Sequence, residues 1–197
     1  SLPSTSLFAK GKQMNRFTFV QTGIENLFVI QPKQIKDERG YFERYFCKEE
    51  FKEIGLSKEI VQINHSLTKL KGSIRGMHFQ AKPFSEIKIV RCIRGSIQDV
   101  AVDLRKDSKT FLHHFTVTLS KLNNKYLYIP EGFAHGFQAL SNNAEVLYLT
   151  TAPFQSSADS AINPLDKILN IKWNLDITNI SPKDKNAPFI DINFKGI

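Results

Sequence analysis

The chain has 197 residues, 41% of them hydrophobic and 23% charged, with a formal net charge of +8. That length suits one compact domain with a substantial core. No apolar run approaches the roughly 20 residues of a membrane-spanning helix. Lys and Arg are scattered rather than blocked, so no nucleic-acid footprint is indicated. The positive excess fits a solvated surface or a basic pocket for a small anion. Cys47 and Cys92 are far apart and fit no metal or redox spacing, which reads as reduced thiols in a cytoplasmic protein. Residues 1–13 read as a disordered or added leader, and 14–197 as a single domain.

In chain order, Thr18–Gln21 and Leu27–Pro32 read as short strands split by the turn around Gly23. Asp37-Glu-Arg-Gly40 is a turn. Lys48–Gly55 reads as a short helix that Gly55 stops. A series of short strands follows: Ile60–Ser66, Lys88–Arg94, Ile97–Arg105, Phe111–Leu119, Tyr126–Ile129, Gly136–Leu140 and Glu145–Thr151. Gly95, Asp107-Ser108, Asn123-Asn124 and Asn142-Asn143 punctuate them about every ten residues, the spacing of an antiparallel sandwich or barrel. No helix-period stretch is long enough for a crossover, which argues against a parallel α/β fold. The tail from Ala152 carries four prolines and is expected to wrap the barrel as loops and short helices.

Two stretches concentrate the chemistry-bearing residues. Gly72-Ser-Ile-Arg-Gly-Met-His-Phe-Gln80 opens a run of β-type sequence, and Lys88-Ile-Val-Arg-Cys-Ile-Arg-Gly95 follows closely. They put His78 between Arg75 and Lys88, a base and two cations suited to a substrate that carries or develops negative charge. Tyr128-Ile-Pro-Glu-Gly-Phe-Ala-His-Gly-Phe137 supplies a second histidine, His135, flanked by glycines. Taken alone, His78 is open to three readings: general base, metal ligand or structural histidine. The arrangement Gly72…His78-x-Gln80…Glu86…Gly95 resembles the first cupin motif, which makes His78, Glu86 and His135 a candidate two-histidine, one-carboxylate metal set. Gln80 stands where the second metal-binding histidine belongs, and Lys88 would repel a cation. No metal and no other cofactor is expected.

Together these stretches, with Asp99-Val-Ala-Val-Asp-Leu-Arg105, Ala144-Glu-Val-Leu-Tyr148, Asp37-Glu-Arg-Gly40 and Ser181-Pro-Lys-Asp184, resemble the dTDP-4-dehydrorhamnose 3,5-epimerase family. The resemblance runs from about residue 25 to 188. It implies an all-β cupin, a jelly-roll barrel with short peripheral helices and loops, that acts as a homodimer without cofactor. The implied substrate is a nucleotide-diphospho-4-keto-6-deoxyhexose, epimerised at C3, C5 or both. By the same resemblance His78 is the base, Asp184 orients it, Lys88 faces the developing enolate, and Tyr148 is the acid on the opposite face. Arg75 and His135 complete the sugar pocket, Gln62 and Asn64 line it, and Arg39 reaches a diphosphate across the dimer interface.

Each role has a plainer counterpart: Asp184 capping the turn after Pro182, Tyr148 in the core, Arg39 solvated in its turn. The family's Asp-Tyr-Tyr after Thr151 is Ala152-Pro-Phe154 here, and its Gly-Ile-Arg-Trp-Asp-Asp-Pro becomes Ala161-Ile-Asn-Pro-Leu-Asp-Lys167. Both changes fall near the nucleotide base, where Phe154 is left as the stacking ring, so CDP or GDP sugars enter beside dTDP. Two further readings stand: a ketoisomerase on a similar sugar, and a catalytically inactive cupin that binds sugar nucleotides.

Overall fold

The computed structural model describes residues 15–197; the leader read at 1–13 lies outside the described residues. Among the described residues, thirteen strands dominate. A six-stranded antiparallel sheet has the order β1 (Phe17–Gln21), β2 (Phe28–Pro32), β10 (Tyr126–Ile129), β7 (Lys88–Arg94), β12 (Ala144–Thr150), β5 (Gln62–Thr68). A five-stranded antiparallel sheet has the order β13 (Asp159–Ala161), β6 (Ile74–Gln80), β11 (Phe133–Ala139), β8 (Ser96–Asp103), β9 (His114–Ser120). Strands β3 (Ile35–Asp37) and β4 (Gly40–Phe42) form a separate hairpin. The two large sheets pack face to face as the expected jelly-roll barrel. Among the described residues no helix is long and apolar enough to cross a membrane.

Three layers of apolar side chains explain the strand patterns. Val90, Leu127, Ile129 and Val146 of one sheet meet Ile97, Ala101, Phe133 and Phe137 of the other inside the barrel. On the outer face of the six-stranded sheet, Phe17, Ile89, Tyr126, Tyr128 and Leu149 are covered by Phe51 and Leu56, with α1 (Lys48–Phe51) supplying Phe51. Outside the five-stranded sheet, Met77, Val100, Val102 and Ala134 are covered by Ile162 and Leu169 of the tail, with Trp173 and Phe194 beside them. Strands β8, β10 and β11 are covered on both sides and are buried along nearly their whole length, polar residues included. Edge strand β5, covered on one side only, alternates between exposed and covered residues.

The turn signals behave as their chemistry predicts. Gly95, Asp107, Asn124 and Asn143 all adopt positive φ, between 55° and 74°, the left-handed region open to Gly and tolerated by Asn and Asp. Gly55, at φ 91°, ends the helical segment. Some boundaries differ from the sequence reading. Strand β9 starts at His114, because residues 103–113 form a turn in which Asp103 accepts hydrogen bonds from Ser108 and Thr110. Strand β11 starts at Phe133, ahead of the expected Gly136. Strand β6 is absent from the strand series because Arg-Gly-Met-His-Phe has no β-branched residue; pairing with β11 and β13 makes it a strand.

The tail is fastened by two fully buried glutamines. Gln98 Nε2 donates to Lys172 O (2.8 Å), and its Oε1 accepts from Asn174 N (2.7 Å). Gln138 Nε2 donates to Leu175 O (2.9 Å), and its Oε1 accepts from Leu175 N (3.0 Å). Their amides stand in for a neighbouring strand and satisfy backbone groups that would be costly to leave unpaired. The chain then bridges Ile180 to Ile74 and enters α2 (Pro182–Lys185), with Ser181 Oγ accepting from Asp184 N and Pro182 in the first turn.

Strands β6 and β11 approach closely at Gly76 and Gly136. A Cβ on Gly136 would lie 2.8 Å from Arg75 O and 2.6 Å from Met77 Sδ. Gly136→Ala is expected to cost about 1–3 kcal/mol, read as a lowered midpoint in urea denaturation. An unchanged midpoint would show that the two strands separate freely.

Candidate active site

Strand pairing gathers the predicted residues at one mouth of the barrel. His78 of β6 lies opposite His135 of β11. On the facing sheet Tyr148 of β12 pairs with Asn64 of β5, Thr150 with Gln62, and Lys88 of β7 with Thr150. Side chains on one face recur every second residue, so Lys88, Tyr148, Gln62 and Asn64 point the same way. They border a cavity with two joined lobes, about 590 Å³ and 210 Å³, which share His78, Lys88, Tyr148 and Lys183. Arg75 and His135 line the larger lobe; Gln62, Asn64, Glu86 and Phe154 line the smaller.

His78 Nε2 donates to Asp184 Oδ1 at 2.6 Å, and Asp184 Oδ2 accepts the Gly76 N–H at 3.0 Å. This tautomer leaves Nδ1 as the basic nitrogen. Burial pushes the Asp184 carboxyl up, but the bonds from His78 and the Gly76 N–H outweigh it and hold the group below the usual carboxylate range. The cap that was the plainer alternative for Asp184 is supplied by Ser181, and the Asp184 carboxylate meets His78.

A second dyad lies beside the first. His135 Nε2 donates to Asp99 Oδ1 at 2.6 Å. Asp99 is fully buried, its Oδ2 has no partner among the described residues, and burial pushes its carboxyl up against the opposing pull of His135 and Lys88. Sequence reasoning passed over Asp99 as a site residue, although an aspartate between Gln98 and Val100 in an apolar strand was a usable signal.

Lys88 Nζ lies 3.3 Å from Glu86 Oε1 and 5.9 Å from the centre of the Tyr148 ring. Burial holds the Tyr148 phenol above its usual range; the Glu86 charge adds to this, while Arg75 and a hydrogen bond with Asn64 oppose it. Tyr148 thus packs against the core and borders the cavity at once. Arg75 is anchored by Thr68 Oγ1 (2.9 Å) and Leu67 O (3.0 Å).

The rebuilt loop after β12 is held from both sides. Gln80 Nε2 donates to Phe84 O and Pro153 O, and its Oε1 accepts from Gln155 N. Gln62 Oε1 accepts the Phe154 N–H at 3.0 Å while its Nε2 donates to Asn64. Between these two grips the Phe154 ring stands 59% exposed at the rim of the smaller lobe. Gln80, weighed in the sequence only as a missing metal ligand, is therefore a fastener of that loop. The three candidate metal ligands are engaged elsewhere: His78 with Asp184, His135 with Asp99, Glu86 with Lys88.

Arg39 is the predicted residue that the fold does not bring to its own chain's cavity. It sits at the tip of the β3–β4 hairpin, with its side chain 85% exposed and paired to Asp37.

The profile of the dTDP-4-dehydrorhamnose 3,5-epimerase family matches residues 21–191. The chain is 41% identical over 177 residues to the dTDP-4-dehydrorhamnose 3,5-epimerase of Shigella flexneri, covering 89% of this chain and 97% of that protein. The crystal structure of the Elizabethkingia anophelis dTDP-4-dehydrorhamnose 3,5-epimerase superposes with a TM-score of 0.86 at 34% identity, covering 91% of this chain and 99% of that one. A 3,5-epimerase from Legionella pneumophila, in complex with dTDP-4-keto-L-rhamnose, superposes with a TM-score of 0.85 at 36% identity, covering 91% and 97%.

The Asp184 carboxylate supports a pH test. A group held below its unfolded pKa adds stability above that value, and loses it as pH falls through the folded one. Asp184→Asn should cost about 1–3 kcal/mol at neutral pH by disrupting buried hydrogen bonds. That deficit should shrink as pH falls from about 4 downward. Urea unfolding across a pH series checks it; a deficit constant with pH would mean that the carboxylate charge is irrelevant.

Proposed function

The chain belongs to the dTDP-4-dehydrorhamnose 3,5-epimerase family, a family of isomerases, and on that premise we propose that it inverts C3 and C5 of a dTDP-linked 4-keto-6-deoxyhexose. The carrying observation is the His78–Asp184 pair and Tyr148 bordering one cavity, with Lys88 beside the phenol. The C4 ketone acidifies the hydrogens on C3 and C5. His78 Nδ1 removes one of them, the C–H electron pair moves into the carbonyl, and Asp184 steadies the imidazolium. Lys88 stabilises the negative oxygen that forms at C4. Tyr148 delivers its proton to the same carbon from the other face, which inverts it. The proton on His78 then leaves to solvent, and Tyr148 regains one.

Phe154 is the ring on which the base stacks, and Gln62 and Asn64 contact the substrate in the same lobe. Arg75 and His135 hold the sugar-diphosphate in the larger lobe. Arg39 serves the cavity of a second copy of the chain. Its exposed hairpin, with Ile35, Tyr41 and Phe42 uncovered, and the exposed residues of β5 support a homodimer.

Isotope exchange separates proton removal from inversion. In D₂O, Tyr148→Phe should still wash deuterium into recovered substrate while forming little inverted product. His78→Asn should lose both exchange and turnover by about 10²–10⁴-fold. Inversion at the native rate by Tyr148→Phe, or near-native turnover by His78→Asn, would end this reading.

Arg39→Ala should raise KM roughly 10- to 100-fold, as expected for loss of a charge-assisted contact to phosphate, with a smaller effect on kcat. Steady-state kinetics checks it, and an unchanged KM returns Arg39 to a solvated turn.

A further inference from the structure

Glu86 is out of place by simple electrostatics. It is a carboxylate with an 11% exposed side chain in a cavity that, on the reading above, admits a diphosphate and develops an enolate. Left alone it would repel both. Its position is firmly set, because the next residue, Ile87, donates its N–H to Thr151 Oγ1 (2.9 Å) and accepts from Thr151 N (3.2 Å). Glu86 and Lys88 are two apart on extended chain, so both project to the same side, where Glu86 Oε1 meets Lys88 Nζ at 3.3 Å.

The remaining charges around Tyr148 narrow its role. From β6 come Arg75 and His78, from β7 Lys88, from β11 His135, which is engaged with Asp99, and from β5 the neutral Asn64. From α2 comes Lys183, engaged with Asp159 of β13, while Asp184 is engaged with His78. Glu86 is the carboxylate whose charge is felt at the phenol, adding to burial and opposed by Arg75.

We infer that Glu86 is a positioning residue of this site: its carboxylate, 3.3 Å from the Lys88 ammonium and lining the same lobe as Tyr148, pins that cation and fixes the charge that the phenol faces. Two demands are met by one group. The cation that stabilises the C4 oxygen is held where it is needed, although a lysine stem is flexible. The acid is kept loaded at pH values where a less negative surrounding would let it ionise. When the sugar enters, its C4 oxygen takes a place at Lys88 next to Glu86.

The inference rests on Tyr148 serving as the acid, so the test reads Tyr148 both in turnover and in the resting enzyme. Glu86→Gln keeps shape and hydrogen-bonding capacity but removes the charge. The alkaline limb of its kcat–pH profile should move to lower pH while the acid limb stays. Ultraviolet difference titration of tyrosinate, comparing Glu86→Gln with Glu86→Gln/Tyr148→Phe and native with Tyr148→Phe, isolates the Tyr148 phenol. That titration should move to lower pH as well. A titration that does not move overturns the inference, whether or not the kcat limb shifts. Failure of the functional reading looks different: Tyr148→Phe would then invert at the native rate, while the titration would still decide what Glu86 does to the phenol.

Discussion

The site depends on one hydrogen bond, between residues 106 positions apart, His78 Nε2 and Asp184 Oδ1. A neutral imidazole has one N–H and one lone pair, and whichever nitrogen donates leaves the other as base. A buried carboxylate settles that choice. Such a carboxylate is costly unless its oxygens are satisfied, and the Gly76 N–H takes the second one. Much of the tail serves this delivery. Gln98 and Gln138 fasten residues 172–175 to the five-stranded sheet, the Ile74–Ile180 bridge carries the chain back across β6, and Ser181 caps the short helix that presents Asp184.

Charge around the cavity is arranged in pairs. Asp184 faces His78, Asp99 faces His135, Glu86 faces Lys88 and Asp159 faces Lys183. Arg75 differs: it is anchored to a hydroxyl and a carbonyl and makes no ion pair among the described residues. Its positive charge is therefore not cancelled by a neighbouring carboxylate, which makes the larger lobe the natural seat for an anionic group. In a partly desolvated cavity such an imbalance counts for more than it would in water. A few of the chain's cations, Arg75, Lys88 and Lys183 among them, stand at the barrel mouth.

The hairpin that carries Arg39 is tied down at its base. Arg91 lies against the rings of both Tyr45 and Tyr126, bonds Glu43, Asn124 and the Tyr126 hydroxyl, and so fixes the chain where it leaves β4. A hairpin anchored at the stem and exposed at the tip is suited to reach away from its own barrel. That geometry fits the second-copy role proposed for Arg39.

The sequence by itself determined the strands, their punctuation and most of the chemistry. Left-handed turns at Gly95, Asp107, Asn124 and Asn143 and apolar stretches in β7 and β10 are local signals, because backbone sterics and the burial of a strand face act within a few residues. The motifs around His78, Lys88, Tyr148 and Asp184 singled out the residues that the fold gathers. Tertiary structure decided what depends on contacts between distant segments. Strand β6 formed through pairing with its neighbours, Asp99 became the partner of His135 across a ladder, and Gln80 turned from a missing ligand into a loop fastener. Glu86, weighed in the sequence as a metal ligand, was set by folding against Lys88 in the lobe that Tyr148 also lines. A side chain's type is written in the sequence, but the polar atoms that satisfy it, and the charges that surround it, are supplied by the packing.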